Sequence, residues 1–282
     1  MNYRLGLYEK AMPSELSWPE KLEAAKAAGV DFLEISVDET DAKLARLAWN
    51  ASERTALWEQ MANAGLFAET MCLSGHRRFP LGSPDKGTRE QGLLMMRQAI
   101  LLARDLGIRI IQIAGYDVYY EPSSAETQQL FSDGLAQSVE FAALYGVTLA
   151  FETMETDFLN SVKKAMAWVR KTDSPFLQVY PDTGNITNAA LPHATAALDD
   201  LELGKGHISA LHLKESLPGI YREVPYGTGH VDFEGMISRA YGMGVRRFLA
   251  EFWHKEGQDW QSELRKANAF LRKCFEKMAQ DD

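Results

Sequence analysis

Cysteine is nearly missing from this chain: Cys72 and Cys274 are the only two in 282 residues. Being so few and so far apart, they exclude a disulfide framework and a thiolate metal site as organising devices, and two reduced thiols are expected. Long hydrophobic runs are missing too, since nowhere do about 18 apolar residues stand together as a spanning helix requires. The opening "MNYRLGLYEK" lacks the charged-then-apolar pattern of a secretory signal. A cytoplasmic protein with no membrane partner is the expectation. Positive charge is scarce: 30 Lys and Arg face 39 Asp and Glu, for a net charge of -9 and a pI near 5.3. Such a chain repels nucleic-acid phosphates and anionic lipid, so no nucleic-acid partner is expected. No linker, low-complexity tract or charge block divides it, and residues 1–282 read as a single domain.

What is present is a repeated unit in which an amphipathic stretch closes on glycine and a short apolar strand follows: "AKAAGVDFLEIS", "MANAGLFAETMC", "ARDLGIRIIQIAG", "AALYGVTLAFE" and "YGMGVRRFLAEF". Gly29, Gly65, Gly107, Gly146 and Gly244 suit the left-handed position that ends a helix, and the residues after each turn to strand composition. With "RLGLY", "PFLQVYPD" and "HISALHLKE", eight strand candidates alternate with segments of crossover length. The pattern predicts an α/β protein with the (β/α)8 TIM barrel fold. A doubly wound open sheet would share the alternation and differ only in closure. Helix starts agree: Ser17 with Pro19 and Glu20 predicts a capped first helix, and "DKGTREQG" opens a later one with a charged first turn.

In a barrel of this kind the loops after the C-terminal ends of the strands carry the chemistry. Strand five ends in Glu152, strand six in Asp182, strand seven in His212 with Lys214 two residues on, and strand eight in Glu251. Three carboxylates converging without a cation would repel one another, whereas a divalent ion among them turns that cost into binding. One divalent metal ion (Mn, Zn, Co or Mg) held by Glu152, Asp182, His212 and Glu251 is therefore expected. Taken singly, each residue has a duller explanation. Asp182 in "PDTGN" suits an Asx turn, and His212 between two leucines suits a core position. Alternation, however, puts His212 and Lys214 on one face of the strand, which argues against a purely apolar surrounding.

The stretches "LGLYEKAMP", "VDFLEISVDETD", "CLSGHRRFPLGS", "IQIAGYDVYY", "YPDTGN", "LHLKES" and "VPYGTGHVDF" closely resemble the L-ribulose-5-phosphate (L-xylulose-5-phosphate) 3-epimerases of the xylose isomerase-like barrels. The resemblance runs over essentially the whole chain. It implies an isomerase that interconverts L-ribulose 5-phosphate and L-xylulose 5-phosphate in bacterial pentose or L-ascorbate catabolism, working as a homodimer. It also implies a single metal on Glu152, Asp182, His212 and Glu251. Related ketose 3-epimerases often carry a histidine three residues beyond the aspartate; Asn185 stands there in this chain and is placed with the substrate-binding residues.

Inverting a carbon next to a ketone requires removing its proton from one face and returning one to the other. Glu152 and Glu251 are the expected catalytic pair, with the metal stabilising the enediolate between the two steps. Glu155 is expected near substrate hydroxyls. For the phosphate of a phosphorylated ketopentose, "SGHRRFPLGS" offers Ser74, His76, Arg77, Arg78 and Ser83 with the backbone at Gly82, and Lys214 is a further candidate. At least one of the two arginines is expected to pair with an acidic neighbour instead. The "GTG" of residues 227 to 229 has the composition of a phosphate loop without the strand-to-helix context. Tyr116, Tyr119 and Tyr120 are expected to pack, and Trp58 and Trp168 either to pack or to form a dimer contact. A hydroxypyruvate isomerase or inosose dehydratase would share barrel and metal but have no use for the arginine pair. A multi-zinc endonuclease would need more than the six histidines present, and a sugar-phosphate binding protein would not need paired glutamates.

Overall fold

The computed structural model describes residues 2–193 and 195–279. Its strands are Arg4–Tyr8 (β1), Phe32–Val37 (β2), Ala68–Leu73 (β3), Ile110–Ala114 (β4), Thr148–Glu152 (β5), Leu177–Tyr180 (β6), Leu211–Leu213 (β7) and Arg247–Ala250 (β8). The helices are Trp18–Ala27 (α1), Asp41–Leu44 (α2), Ala51–Ala64 (α3), Lys86–Leu106 (α4), Ala125–Leu144 (α5), Val162–Thr172 (α6), Thr183–Ala190 (α7), Ala197–Glu202 (α8), Phe233–Gly242 (α9) and Trp260–Met278 (α10). Strand order is β6-β5-β4-β3-β2-β1-β8-β7, and every pairing is parallel. The two ends of that order then meet. Val179 bridges to Ile208 and Asp182 to His212, and the His212 and Ser209 N–H groups donate to the carbonyls of Pro181 and Val179, each at 2.9 Å. The sheet is a closed ring, and the open doubly wound alternative is ruled out.

Each strand sorts its residues by alternation. Leu33, Ile35, Ile111, Ile113, Leu149 and Phe151 turn outward into one large core beneath the helices. Tyr8, Phe32, Cys72 and Leu249 form a separate cluster inside the ring, as do Ile110, Ala150, Tyr180 and Ala210. The interior is so full that a Cβ on Gly6 would stand 2.4 Å from the Phe32 ring; glycine on β1 is what lets that ring fill the barrel. Above this apolar filling the inward positions become polar.

Helix ends follow the sequence expectations. Ser17 and Glu20 form a capping box with proline at the first helical positions of α1, and Asp85 caps α4 through the Thr88 N–H at 2.7 Å. Gly107 closes α4 at φ +79°, with its N–H on the carbonyls of Ala103 and Arg104. An L side chain would be strained there, which explains why glycine marks the junction. Trp168 packs edge-on against Phe131 at 5.2 Å, whereas Trp58 keeps 46% of its surface exposed.

Candidate active site

Glu152 is the last residue of β5, His212 the middle residue of β7, and Asp182 and Glu251 follow β6 and β8. Four adjacent strands thus bring one ligand atom from each residue to within 4.8 Å of all the others, and all four residues are buried. Asp182 divides its work: Oδ1 caps α7 by accepting the Asn185 N–H at 2.7 Å, while Oδ2 faces the cluster. The expected Asx-type turn and the expected convergence are both present in one side chain.

His212 is fully buried. Its Nε2 lies 3.0 Å from Glu34 Oε1, and its Nδ1 lies 3.4 Å from Glu152 Oε1 and 3.1 Å from Glu251 Oε2. Glu34 accepts the Thr70 hydroxyl on its other oxygen at 2.7 Å, so its carboxylate is held in place to accept a hydrogen bond from Nε2–H. That arrangement leaves Nδ1 as the nitrogen that faces the cluster. Glu34 was not foreseen as part of the site. The strand pairing shifts register between Leu33 and Glu34, an irregularity of the kind that re-aims a side chain near functional groups.

Opposing charges pull the cluster's titrations apart. Burial and the neighbouring Glu251 raise Glu152 above the usual carboxylate range. Burial raises Asp182 further, with Lys214 opposing it. For Glu251 burial is outweighed by Lys214 and His212, which hold it well below its ordinary value. For His212 burial is likewise outweighed, and Glu251 and Glu34 push the imidazole up. Two buried oxygens, Asp182 Oδ2 and Glu251 Oε2, have no hydrogen-bond partner. Lys214 Nζ approaches them at 3.0 and 3.8 Å without hydrogen-bond alignment. Uncommitted carboxylate oxygens beside an imidazole nitrogen are the donor set a divalent cation requires, so the residues fit such an ion.

Above the cluster lies a cavity of about 110 Å³ whose wall includes Tyr8, Lys10, Ser74, Arg77, Arg222 and Trp253, together with Glu155, Asn185 and Lys214. A larger cavity of about 290 Å³ behind Trp253 is lined by none of the four cluster residues. Arg77 stacks over Tyr119 at 4.8 Å and leaves its Nε without a partner. Arg222 reaches Glu155 at 2.9 Å, and Lys10 pairs with Asp38. Asn185 donates to the Thr153 carbonyl at 2.7 Å and accepts from Lys214 at 2.9 Å.

Part of the expected phosphate string is elsewhere. His76 is buried with Nε2 3.3 Å from the Gly92 carbonyl, and burial pushes it down to about 4, so it is a neutral packing residue. Arg78 faces out and pairs with Asp41 at 2.6 Å, the acidic neighbour expected for one arginine. The Gly82 N–H is committed to the Asp117 carbonyl at 3.0 Å, and the Ser83 hydroxyl accepts the Asp85 N–H at 3.2 Å. Tyr116 is buried, while Tyr120 is 70% exposed. The "GTG" loop cradles an internal anion: Glu215 accepts the N–H groups of Gly227 at 3.0 Å and Val231 at 3.1 Å. Lys10 and Arg222, which line the cavity, were missed by sequence reasoning; Lys10 lies in a 3-10 turn just after β1 and Arg222 in an irregular loop, neither with a periodic signal.

Fold and cluster together define a class, and the family model described as "Xylose isomerase-like TIM barrel" matches residues 22–274. Within it, the chain is 44% identical over 95% of its length, and 93% of theirs, to proteins of Salmonella paratyphi A and Escherichia coli O139:H28, each named L-ribulose-5-phosphate 3-epimerase UlaE. This chain belongs to that 3-epimerase family of xylose isomerase-like barrels. A solved L-ribulose 3-epimerase matches with a TM-score of 0.78 at 20% identity, covering 99% of this chain and 96% of its own. A solved D-tagatose 3-epimerase-like protein matches with a TM-score of 0.81 at 16% identity, covering 99% of each chain. Among the described residues no helix is long and apolar enough to cross a membrane.

Proposed function

We propose that this chain is a metal-dependent 3-epimerase that interconverts L-ribulose 5-phosphate and L-xylulose 5-phosphate. The observation that carries the reading is the convergence of Glu152, Asp182, His212 and Glu251 on one point, beneath a cavity walled by Lys10, Arg77 and Arg222. Glu152, Asp182, His212 and Glu251 would hold one divalent ion, which when bound supplies Lewis acidity toward a ketose carbonyl and its neighbouring hydroxyl. Mn, Zn, Co and Mg are the candidates.

Glu152 and Glu251 come from strands that flank β6 and β7 in the ring, so a sugar lying over the cluster meets one carboxylate from each side. One takes the C3 proton and the other returns a proton to the opposite face; the roles exchange in the reverse direction. Glu152 Oε2 already accepts the Gln112 amide, which fixes that carboxylate's orientation. Glu155, steadied by Arg222, would take substrate hydroxyls, and Asn185 would steady Lys214. Arg77, with Ser74 and Lys10 beside it, offers an open guanidinium for the phosphate. Residues 1–282 acting as one catalytic domain, a homodimeric state and a cytoplasmic location belong to the same reading.

The test is metal analysis of purified protein coupled to exchange of the C3 proton with deuterated water, using L-ribulose 5-phosphate and its unphosphorylated counterpart. One divalent ion per chain and exchange with the phosphorylated sugar are expected. Glu152→Gln and Glu251→Gln should each cut exchange by about 10²–10⁴-fold while substrate still binds. A parent protein that binds the sugar phosphate yet exchanges no C3 proton would refute epimerisation and favour a binding protein.

A further inference from the structure

Lys214 stands two residues beyond His212, just past the end of β7, and its position is built rather than incidental. Its backbone is locked to α7, since its N–H donates to the Thr183 hydroxyl at 3.0 Å and that hydroxyl lies 3.0 Å from the Lys214 carbonyl. The ammonium is 3.0 Å from Asp182 Oδ2 and 3.8 Å from Glu251 Oε2. Asn185 Oδ1 holds it from the side at 2.9 Å, and the Trp253 ring covers it at 5.9 Å. The side chain is 6% exposed. Both oxygens it faces lack a hydrogen-bond partner.

An ammonium at this distance neutralises charge while leaving the oxygen lone pairs uncommitted. Three carboxylates and one ammonium leave the cluster with two negative charges, which a single divalent ion balances. Glu34, 3.0 Å from His212 Nε2, adds a further negative charge beneath the cluster, so the excess that the ammonium offsets is larger still. Without the ammonium, the same buried carboxylates would bind a divalent ion more tightly and donate more charge to it, making it a poorer electrophile.

Resting on the metal reading above, we infer that Lys214 is a fixed counter-cation that weakens the cluster's hold on its divalent ion and keeps that ion electron-poor. The two halves predict opposite responses to one substitution. Lys214→Met should tighten Mn²⁺ binding at least about tenfold while slowing C3 proton exchange at least about tenfold. Affinity is read by competition with a coloured chelator, which needs no substrate and so stands whether or not the epimerase reading survives. A merely structural lysine gives the reverse sign, because disorder in the cluster lowers affinity and exchange together. Asn185→Ala, which removes the side tether and keeps the charge, should move Mn²⁺ affinity by no more than about threefold. If circular dichroism shows Lys214→Met unfolded, Lys214→Gln carries the same expectation with a polar tip for Asn185. Mn²⁺ affinity that falls or stays unchanged in the folded charge-removed variant overturns the inference.

Discussion

Glu34→Gln removes one charge from beneath the cluster while keeping the shape of the side chain. Glu34 has no exposed surface, its Oε1 is 3.0 Å from His212 Nε2, and its Oε2 accepts the Thr70 hydroxyl at 2.7 Å. A hydrogen bond to a charged group contributes about 1.5–3 kcal/mol, against about 0.5–1.5 kcal/mol for a neutral one. The amide oxygen of glutamine can still accept from Nε2, so the net loss is about 1–2 kcal/mol. If the amide turns the other way its NH₂ opposes the Nε2–H, and the imidazole flips its tautomer and removes the Nδ1 lone pair. Either route weakens the histidine as a ligand, and groups that orient a ligating histidine typically change metal affinity or activity by about 10–100-fold. Glu34→Gln should therefore bind Mn²⁺ about tenfold or more weakly in chelator competition, with a melting temperature within a few degrees of the parent. Affinity and C3 exchange both staying within twofold of the parent would show that Glu34 does not hold the histidine for metal binding.

Two further perturbations separate binding from stability. Arg77→Met should raise KM for the pentulose 5-phosphate by about 10–100-fold, the loss of a charge-assisted contact, while kcat and turnover of the unphosphorylated pentulose change less than about threefold. Equal losses on both sugars in steady-state assays would move the phosphate away from Arg77. Glu9 is buried against Lys21 at 2.8 Å, Lys43 at 2.6 Å and Arg46 at 2.5 Å, and although burial opposes it, these cations hold its carboxyl far below its ordinary 4.5. Its folded value is depressed, so its contribution is complete above pH 4.5 and declines as the pH falls. Glu9→Gln strands three cations and should cost about 3–5 kcal/mol at pH 7. The difference from the parent in urea unfolding should shrink by about 1.4 kcal/mol per pH unit below pH 4; a difference that stays constant from pH 7 to pH 3 would contradict that account.

The sequence made the barrel and the four-residue cluster legible because both are local properties repeated along the chain. Glycine at φ > 0 at Gly29, Gly65, Gly107, Gly146 and Gly244 and alternation along each strand are written within a few residues, and a polar group ending an apolar strand needs only that strand to be noticed. Side chains in loops obey no such rule. In "SGHRR" the residue types suit a phosphate, yet the segment Gly75–Arg77 folds as a 3-10 turn, in which successive side chains point about 120° apart. His76 therefore turns into the core, Arg77 into the cavity and Arg78 toward Asp41, and no composition argument separates the three. Lys10 and Arg222 reach the same cavity from the 3-10 turn after β1 and the loop after β7, a meeting set by barrel closure and invisible to any window of sequence. The "GTG" turn makes the point from the other side. Its first glycine does present an N–H group to an anion, as the composition suggested, but that anion is a carboxylate twelve residues upstream, Glu215. A Cβ at Gly229 would stand 2.2 Å from the Ser216 carbonyl oxygen, so the close packing of that loop on its own chain is sufficient reason for glycine without any phosphate.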